Sequence, residues 1–154
     1  MIYARWIFGE DELAPAREVR TRVFVEEQGY TPEDEYDDMD AISWHVLVSV
    51  DEKVVATGRV FLSEGKYKVG RICVLEEYRG QGLGDMVVRM LLDRALQAGA
   101  SGLHISAQSY VVGMYERFGF RRVGEPYRLP GDTRDHIDLY AKAEEIVFPK
   151  MCEV

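Results

Sequence analysis

The stretch Tyr78–Gly84, YRGQGLG, constrains the fold of this chain more than any other. It places glycine at 80, 82 and 84, directly after the apolar run RICVL and its two glutamates, and directly before the longest amphipathic pattern in the sequence. Glycine costs backbone entropy, so this density marks a sharp turn or a close approach to the main chain. The order reads as strand, glycine loop, helix. Unpaired N–H groups and the positive end of the helix dipole converge at such a helix start. Arg79 adds a cation, which completes the recipe for a phosphate or pyrophosphate cradle. A plain strand–helix turn would use the same residues, so the loop alone leaves both readings open. The dinucleotide fingerprint G-x-G-x-x-G fails, because counting from Gly80 puts Asp85 in the last position. The nucleotide-triphosphate loop fails too, because no Gly-Lys-Ser/Thr follows.

The rest of the chain supplies a sheet for this unit. Residues 2–8 read as a strand and 11–27 as a helix with Val19, Val23 and Phe24 on one face. Residues 28–42 read as a polar, acidic loop. SWHVLVSV, VVATGRVFLS and YKVGRICVL read as three strands joined by short DEK and EGK turns, an antiparallel meander. Gln81 to Ala98 reads as a helix, with Leu83, Val87, Met90, Leu91 and Ala95 on one face and Asp85, Arg89, Asp93 and Gln97 on the other. LHISAQ, a helix over 109–118, FRRVG and HIDLYAKA complete the order β-α-β-β-β-α-β-α-β-β. This is an α/β (α+β) pattern, a mixed, mostly antiparallel sheet flanked by helices. With 154 residues, no repeat and no composition break, a single domain over 1–154 is expected.

Charge and cysteine usage exclude several classes. The net charge of -8 disfavours nucleic acid and anionic membrane surfaces as partners. No run of about twenty apolar residues is available to span a membrane, and MIYARWIFGEDEL lacks the apolar stretch and small-residue cleavage site expected of a signal peptide. The two cysteines, Cys73 and Cys152, form neither a disulfide framework nor a metal-ligand spacing, so no metal is expected and a reducing cytoplasm fits best. The stretch EDEYDDMD holds six carboxylates in eight residues. It reads either as a solvated acidic loop or as an attractor for a cationic amine. It lacks the spacing and central glycine of a calcium loop.

Two motifs carry a family resemblance. RICVLEEYRGQGLG resembles the strand and R/Q-x-x-G-x-G/A loop of the GCN5-related N-acetyltransferases, with Arg79, Gly82 and Gly84 in place. After the next strand, QSYVVGMYERFGF resembles the second signature of that family, with Tyr115, Gly119 and Phe120 in place. RVFVEEQGYTPEDEYDD and DHIDLY resemble the ElaA-like branch. Glu76, Gln108 and Met114 depart from the usual proline, asparagine and phenylalanine, and residues 144–154 run past the family core as a C-terminal extension.

The resemblance implies a single acyltransferase domain that carries acetyl from acetyl-CoA to a primary amine by direct attack in a ternary complex. It places the pyrophosphate on Arg79, Gly80, Gln81, Gly82, Leu83, Gly84 and Asp85, and the pantetheine arm along Ile72, Cys73 and Val74, with Gln108 and Tyr115 nearby. An N–H near Cys73 or Val74 can polarise the thioester carbonyl, and Tyr115 can protonate the departing thiolate. Cys73 as an acyl-carrying nucleophile would need a positioned base, and none is visible. Glu26, Glu27 and His136 are the candidates for acceptor contacts, with Glu27 as the candidate general base. A small cationic amine is the expected acceptor. A peptide or protein amine and a non-catalytic acyl-CoA-binding module are the alternatives. A homodimer is expected by family habit alone.

Overall fold

The computed structural model describes residues 1–150; Cys152 lies outside the described residues. One seven-stranded sheet runs in the order β1-β2-β3-β4-β5-β7-β6. The strands are β1 (Ile2–Phe8), β2 (Ser43–Val50), β3 (Lys53–Ser63), β4 (Lys66–Val74), β5 (Gly102–Gln108), β6 (Arg121–Tyr127) and β7 (His136–Lys142). The first four form an antiparallel meander. Its two tight hairpins turn on Asp51-Glu52 and Glu64-Gly65, all four with positive φ, the geometry a right-twisted hairpin demands. Among the described residues no helix is long and apolar enough to cross a membrane.

The expected helices appear with different limits. The span 11–27 is α1 (Ala14–Arg20) followed by a π-helical stretch, Thr21–Glu27. Pro15 sits in the first turn, where no N–H is needed. The glycine loop keeps Gln81 out of the helix, so α3 is Leu83–Gln97, with Gly82 in the left-handed region as its N-cap. The span 109–118 holds only a 3-10 turn, Ser109–Val111, and the short α4 (Val112–Glu116).

The pleat sorts the core onto two faces. Leu47 joins Ile7, Leu13 and Ala16, while its neighbours Val46 and Val48 join the main core with Val87, Leu91 and Ala95 of α3. Gly58 lets α3 sit on β3, because a side chain there would overlap Val87 and Leu91. Residues 146–150 are not a loose appendage. Val147 N–H donates to Phe118 O at 3.0 Å, Phe148 meets Phe118 edge-on, and Arg89 donates to Pro149 O.

The acidic stretch corrects the loop reading. Pro32–Glu35 forms the single-turn α2, and Asp38–Ile42 a 3-10 turn. Glu35 is 2% and Asp40 0% exposed. Arg20 holds Glu35 at 2.5 Å and Asp40 at 2.8 Å. Arg59 holds Asp37 at 2.6 Å and Asp40 at 2.9 Å. Arg71 reaches Asp37 at 3.3 Å. Half of the six carboxylates are therefore structural counter-ions for guanidinium groups drawn from α1, β3 and β4.

Candidate active site

The site begins with a bulge. Thr57 pairs with Cys73 while Arg59 pairs with Gly70, so β4 carries one residue more than β3 over this interval. Arg71 absorbs it with φ +51°. A bulge bends and twists its strand. Parallel pairing between β4 and β5 accordingly covers only Tyr67–Val69 with Leu103–Ile105. Beyond that point the strands diverge, and β5 keeps its pairing with β7 as far as Gln108 and His136. The result is a cleft of about 670 Å³ walled by β4, β5, the start of α3 and α4.

The free edge of β4 can bind an extended chain. Leu75 N–H donates to Val55 O, so by antiparallel alternation Cys73 faces β3 and the Val74 main chain faces the cleft. The start of α3 opens onto the same cleft. Among the described residues no side chain caps it, which leaves its first amides open to a ligand. Gly84 has a second reason to be glycine. A side chain there would meet only Val74 Cγ2, at an ordinary 3.6 Å, and its φ is not positive. Among the described residues nothing excludes a side chain at 84, so packing within the protein does not account for this glycine. The Asp85 carboxylate, an unwelcome charge beside an anion, is paired with Arg89 at 2.5 Å.

Every residue expected at the cosubstrate site except Gln81 lines this cleft, and so does His136. Glu26 and Glu27 do not; Glu26 lines a separate depression beside α1. Glu27 closes the rim, accepting from Arg79 Nη1 and Nη2 at 2.8 and 2.7 Å. Arg79 Nε also donates to Val74 O at 3.0 Å. The hydrogen bonds from Arg79 hold the Glu27 carboxyl below the usual glutamate range. Gln28 and Gln108 form a second strap across the rim, at 2.6 Å.

Tyr115 is 5% exposed. Burial, with a smaller effect from Tyr110, raises its phenol well above the ordinary value, so it keeps its proton. Burial pushes the Cys73 thiol up to about 12, which removes the thiolate a nucleophile requires. His136 Nδ1 lies 3.0 Å from Arg134 O. A carbonyl only accepts, so Nδ1 carries the proton and Nε2 of the neutral ring is an acceptor. Sequence reasoning missed Arg71, Tyr30 and Asp132, which also line the cleft; Asp34 and Glu35, which line it too, were covered only by the reading of EDEYDDMD as a whole as an attractor for a cationic amine. Asp34 and Glu35 sit in the single-turn α2 and Asp132 in the β6–β7 loop, and no local pattern distinguishes these acids from solvated ones.

An open strand edge, uncapped helix amides and a glycine with open surroundings fit a long cosubstrate that carries phosphates. The fold and site together define an acyl-CoA-dependent acyltransferase. The family model for acetyltransferases of the GNAT family matches residues 11–120, and the chain belongs to that family. It is similar to the uncharacterized N-acetyltransferase YjcF of Bacillus subtilis (strain 168), 38% identical over 116 residues, covering 75% of this chain and 83% of that protein. The crystal structure of Escherichia coli ElaA matches with a TM-score of 0.81 at 25% identity, over 92% of this chain and 100% of that one. An acyl-CoA N-acyltransferase from Pseudomonas aeruginosa matches with a TM-score of 0.79 at 27% identity, over 91% and 99%.

Proposed function

We propose that this protein transfers an acetyl group from acetyl-CoA to a primary amine by direct attack, in a cytoplasmic setting consistent with the buried, free Cys73 thiol. The observation that carries the reading is Gly84, whose open surroundings leave the first turn of α3 accessible to an anion beside the free edge of β4. The amides of Leu83, Gly84 and Asp85 would hold the pyrophosphate, with Arg79 on the rim. The acyl-CoA thioester supplies the activated acyl group.

The chain's own residues then have distinct tasks. The Val74 N–H, facing the cleft, donates to the carbonyl oxygen as it gains charge. His136 Nε2 accepts a proton from the attacking amine, directly or through a water. Tyr115, which stays protonated, donates to the sulfur as the C–S bond breaks. Glu27 is engaged by Arg79 and serves the rim better than it serves as base. The buried, protonated Cys73 thiol leaves direct attack as the available route.

The test is a thermal shift with acetyl-CoA, free CoA and NAD in parallel, followed by thiol release with an amine panel. A saturating ligand at a hundred times its dissociation constant adds about 2.7 kcal/mol to stability. Stabilisation by the CoA ligands, with amine-dependent thiol release, is the expected result. Stabilisation by NAD alone would overturn the reading, and CoA binding without transfer to any amine would leave a binding module.

A further inference from the structure

The end of the cleft remote from α3 lies between α2 and the β6–β7 loop, and its charge is unbalanced. Arg71 and Arg79, the guanidinium groups lining the cleft, are already engaged by Glu35, Asp37 and Glu27. Asp85 is matched by Arg89. Asp34 and Asp132 also line the cleft. Among the described residues, neither has a Lys or Arg partner within salt-bridge distance. Asp34 accepts from the Thr31 hydroxyl at 2.9 Å. Asp132 accepts from Leu129 N–H at 2.8 Å and faces only His136 Nδ1, at 3.5 Å.

The two carboxylates are brought together by the fold. Gly131, with φ +91°, lies against the Asp34 carboxylate so closely that a side chain at 131 would overlap it. Beneath them sits a second, independent sign of a ligand. Glu35 is 2% exposed and lines the same end of the cleft. Its Oε1 is taken by Arg20 and Arg71. Among the described residues its Oε2 has no partner, and neither does the buried hydroxyl of Tyr30, which lines the cleft too. A buried carboxylate oxygen left unpaired is costly. A donor entering from the cleft removes that cost, and only a cation also balances Asp34 and Asp132.

The geometry points to a diamine-type acceptor: resting on the acyltransfer reading above, we propose that Asp34, Asp132 and Glu35 hold a second ammonium of the acceptor while the first reacts near His136. A neutral tail would leave Asp34 and Asp132 without a counter-charge, and an anionic tail would be repelled by them. Specificity then comes from leaving those acids without partners until the right acceptor arrives.

The test uses the full chain with acetyl-CoA and a matched pair of acceptors. Putrescine and pentylamine differ only in that a methyl group replaces the second ammonium. The expected result is a kcat/KM for putrescine at least about tenfold above that for pentylamine, one decade being about 1.4 kcal/mol. The double variant Asp34→Asn, Asp132→Asn keeps its acceptor oxygens and leaves the Arg20 network intact. It should raise the putrescine KM about tenfold and bring the two amines together, with the acetyl-CoA KM unchanged. Equal use of both amines by the parent protein would overturn the inference while leaving the acyltransferase reading in place. So would a preference that survives in the double variant. CoA binding with no thiol release on any amine would overturn both.

Discussion

Glu27 grips Arg79 through both carboxylate oxygens, at 2.7 and 2.8 Å, so the guanidinium at the rim of the cleft is already paired in the free protein. A pyrophosphate that uses Arg79 must therefore compete with Glu27. Half-exposed ion pairs are worth less than about 1 kcal/mol. Glu27→Gln is accordingly expected to tighten CoA binding by up to about fivefold, one kcal/mol corresponding to that ratio, and Arg79→Ala to weaken it. Calorimetric titration with free CoA checks both. Weaker binding by Glu27→Gln would mean that Glu27 orients Arg79 instead of competing for it.

Tyr115 should separate binding from chemistry. Tyr115→Phe is expected to lower kcat by at least about a hundredfold, the usual scale for a lost general acid, and to leave the dissociation constant for CoA unchanged. Its raised phenol adds a pH signature. A raised pKa keeps the acid form present at alkaline pH, so kcat of the parent protein should show no loss up to about pH 10, the ordinary tyrosine value. An alkaline limb in kcat below that pH, absent from Tyr115→Phe, would contradict the raised phenol, and a Tyr115→Phe kcat equal to that of the parent would contradict the donor role.

The readability of these features differed with the range of the interaction. Strands β2 to β5 and α3 were legible because their side chains repeat at period two or near four. The glycine loop was legible because a helix start and three small residues lie within seven positions. The cleft itself was not, because it depends on one extra residue at Arg71 that only the register against β3 exposes. The ion network was hidden for a related reason. Glu35 and Asp40 look like their solvated neighbours, and their partners Arg20, Arg59 and Arg71 come from three separate elements. The short α4 was overestimated because the apolar spacing continues through Phe118, where the turn at Gly119 has already begun.

That network makes acid stability a direct readout of the fold. Burial would raise the Asp40 carboxyl, but hydrogen bonds and charge from Arg20 and Arg59 outweigh it and leave the group below the ordinary aspartate value. Asp37 is lowered in the same way, against burial, by Arg59 and Arg71. A lowered folded pKa stabilises the protein above the unfolded value, near 3.9, and that stabilisation is lost as pH falls through the folded pKa. The Tm should be flat above about pH 5 and fall steeply below about pH 4. Asp40→Asn should flatten that fall and destabilise the protein at neutral pH by about 3 kcal/mol or more, because Arg20 and Arg59 stay buried with less charge opposite them. A Tm profile for Asp40→Asn that parallels the parent would exclude Asp40 as a source of the acid limb.

Two motif glycines should fail in opposite ways, which separates ligand demand from fold demand. Gly84 sits in the first turn of α3 with room for a methyl group and no positive φ. Gly84→Ala should leave the Tm unchanged or raise it, since alanine is better than glycine in a helix by up to about 1 kcal/mol. The same variant should weaken CoA binding about tenfold or more, because on the proposed reading the added carbon would stand where the anion meets the helix amides, and one decade is about 1.4 kcal/mol. Gly119 has φ +102°, and a side chain there would overlap the main-chain carbonyl of Glu145. Gly119→Ala should therefore lower stability by about 2 kcal/mol or more through backbone strain, and CoA affinity should be retained in whatever fraction stays folded. Paired thermal melts and CoA titrations of the two variants read both effects. A destabilised Gly84→Ala with normal CoA affinity would show that the loop glycines serve the turn and not the ligand.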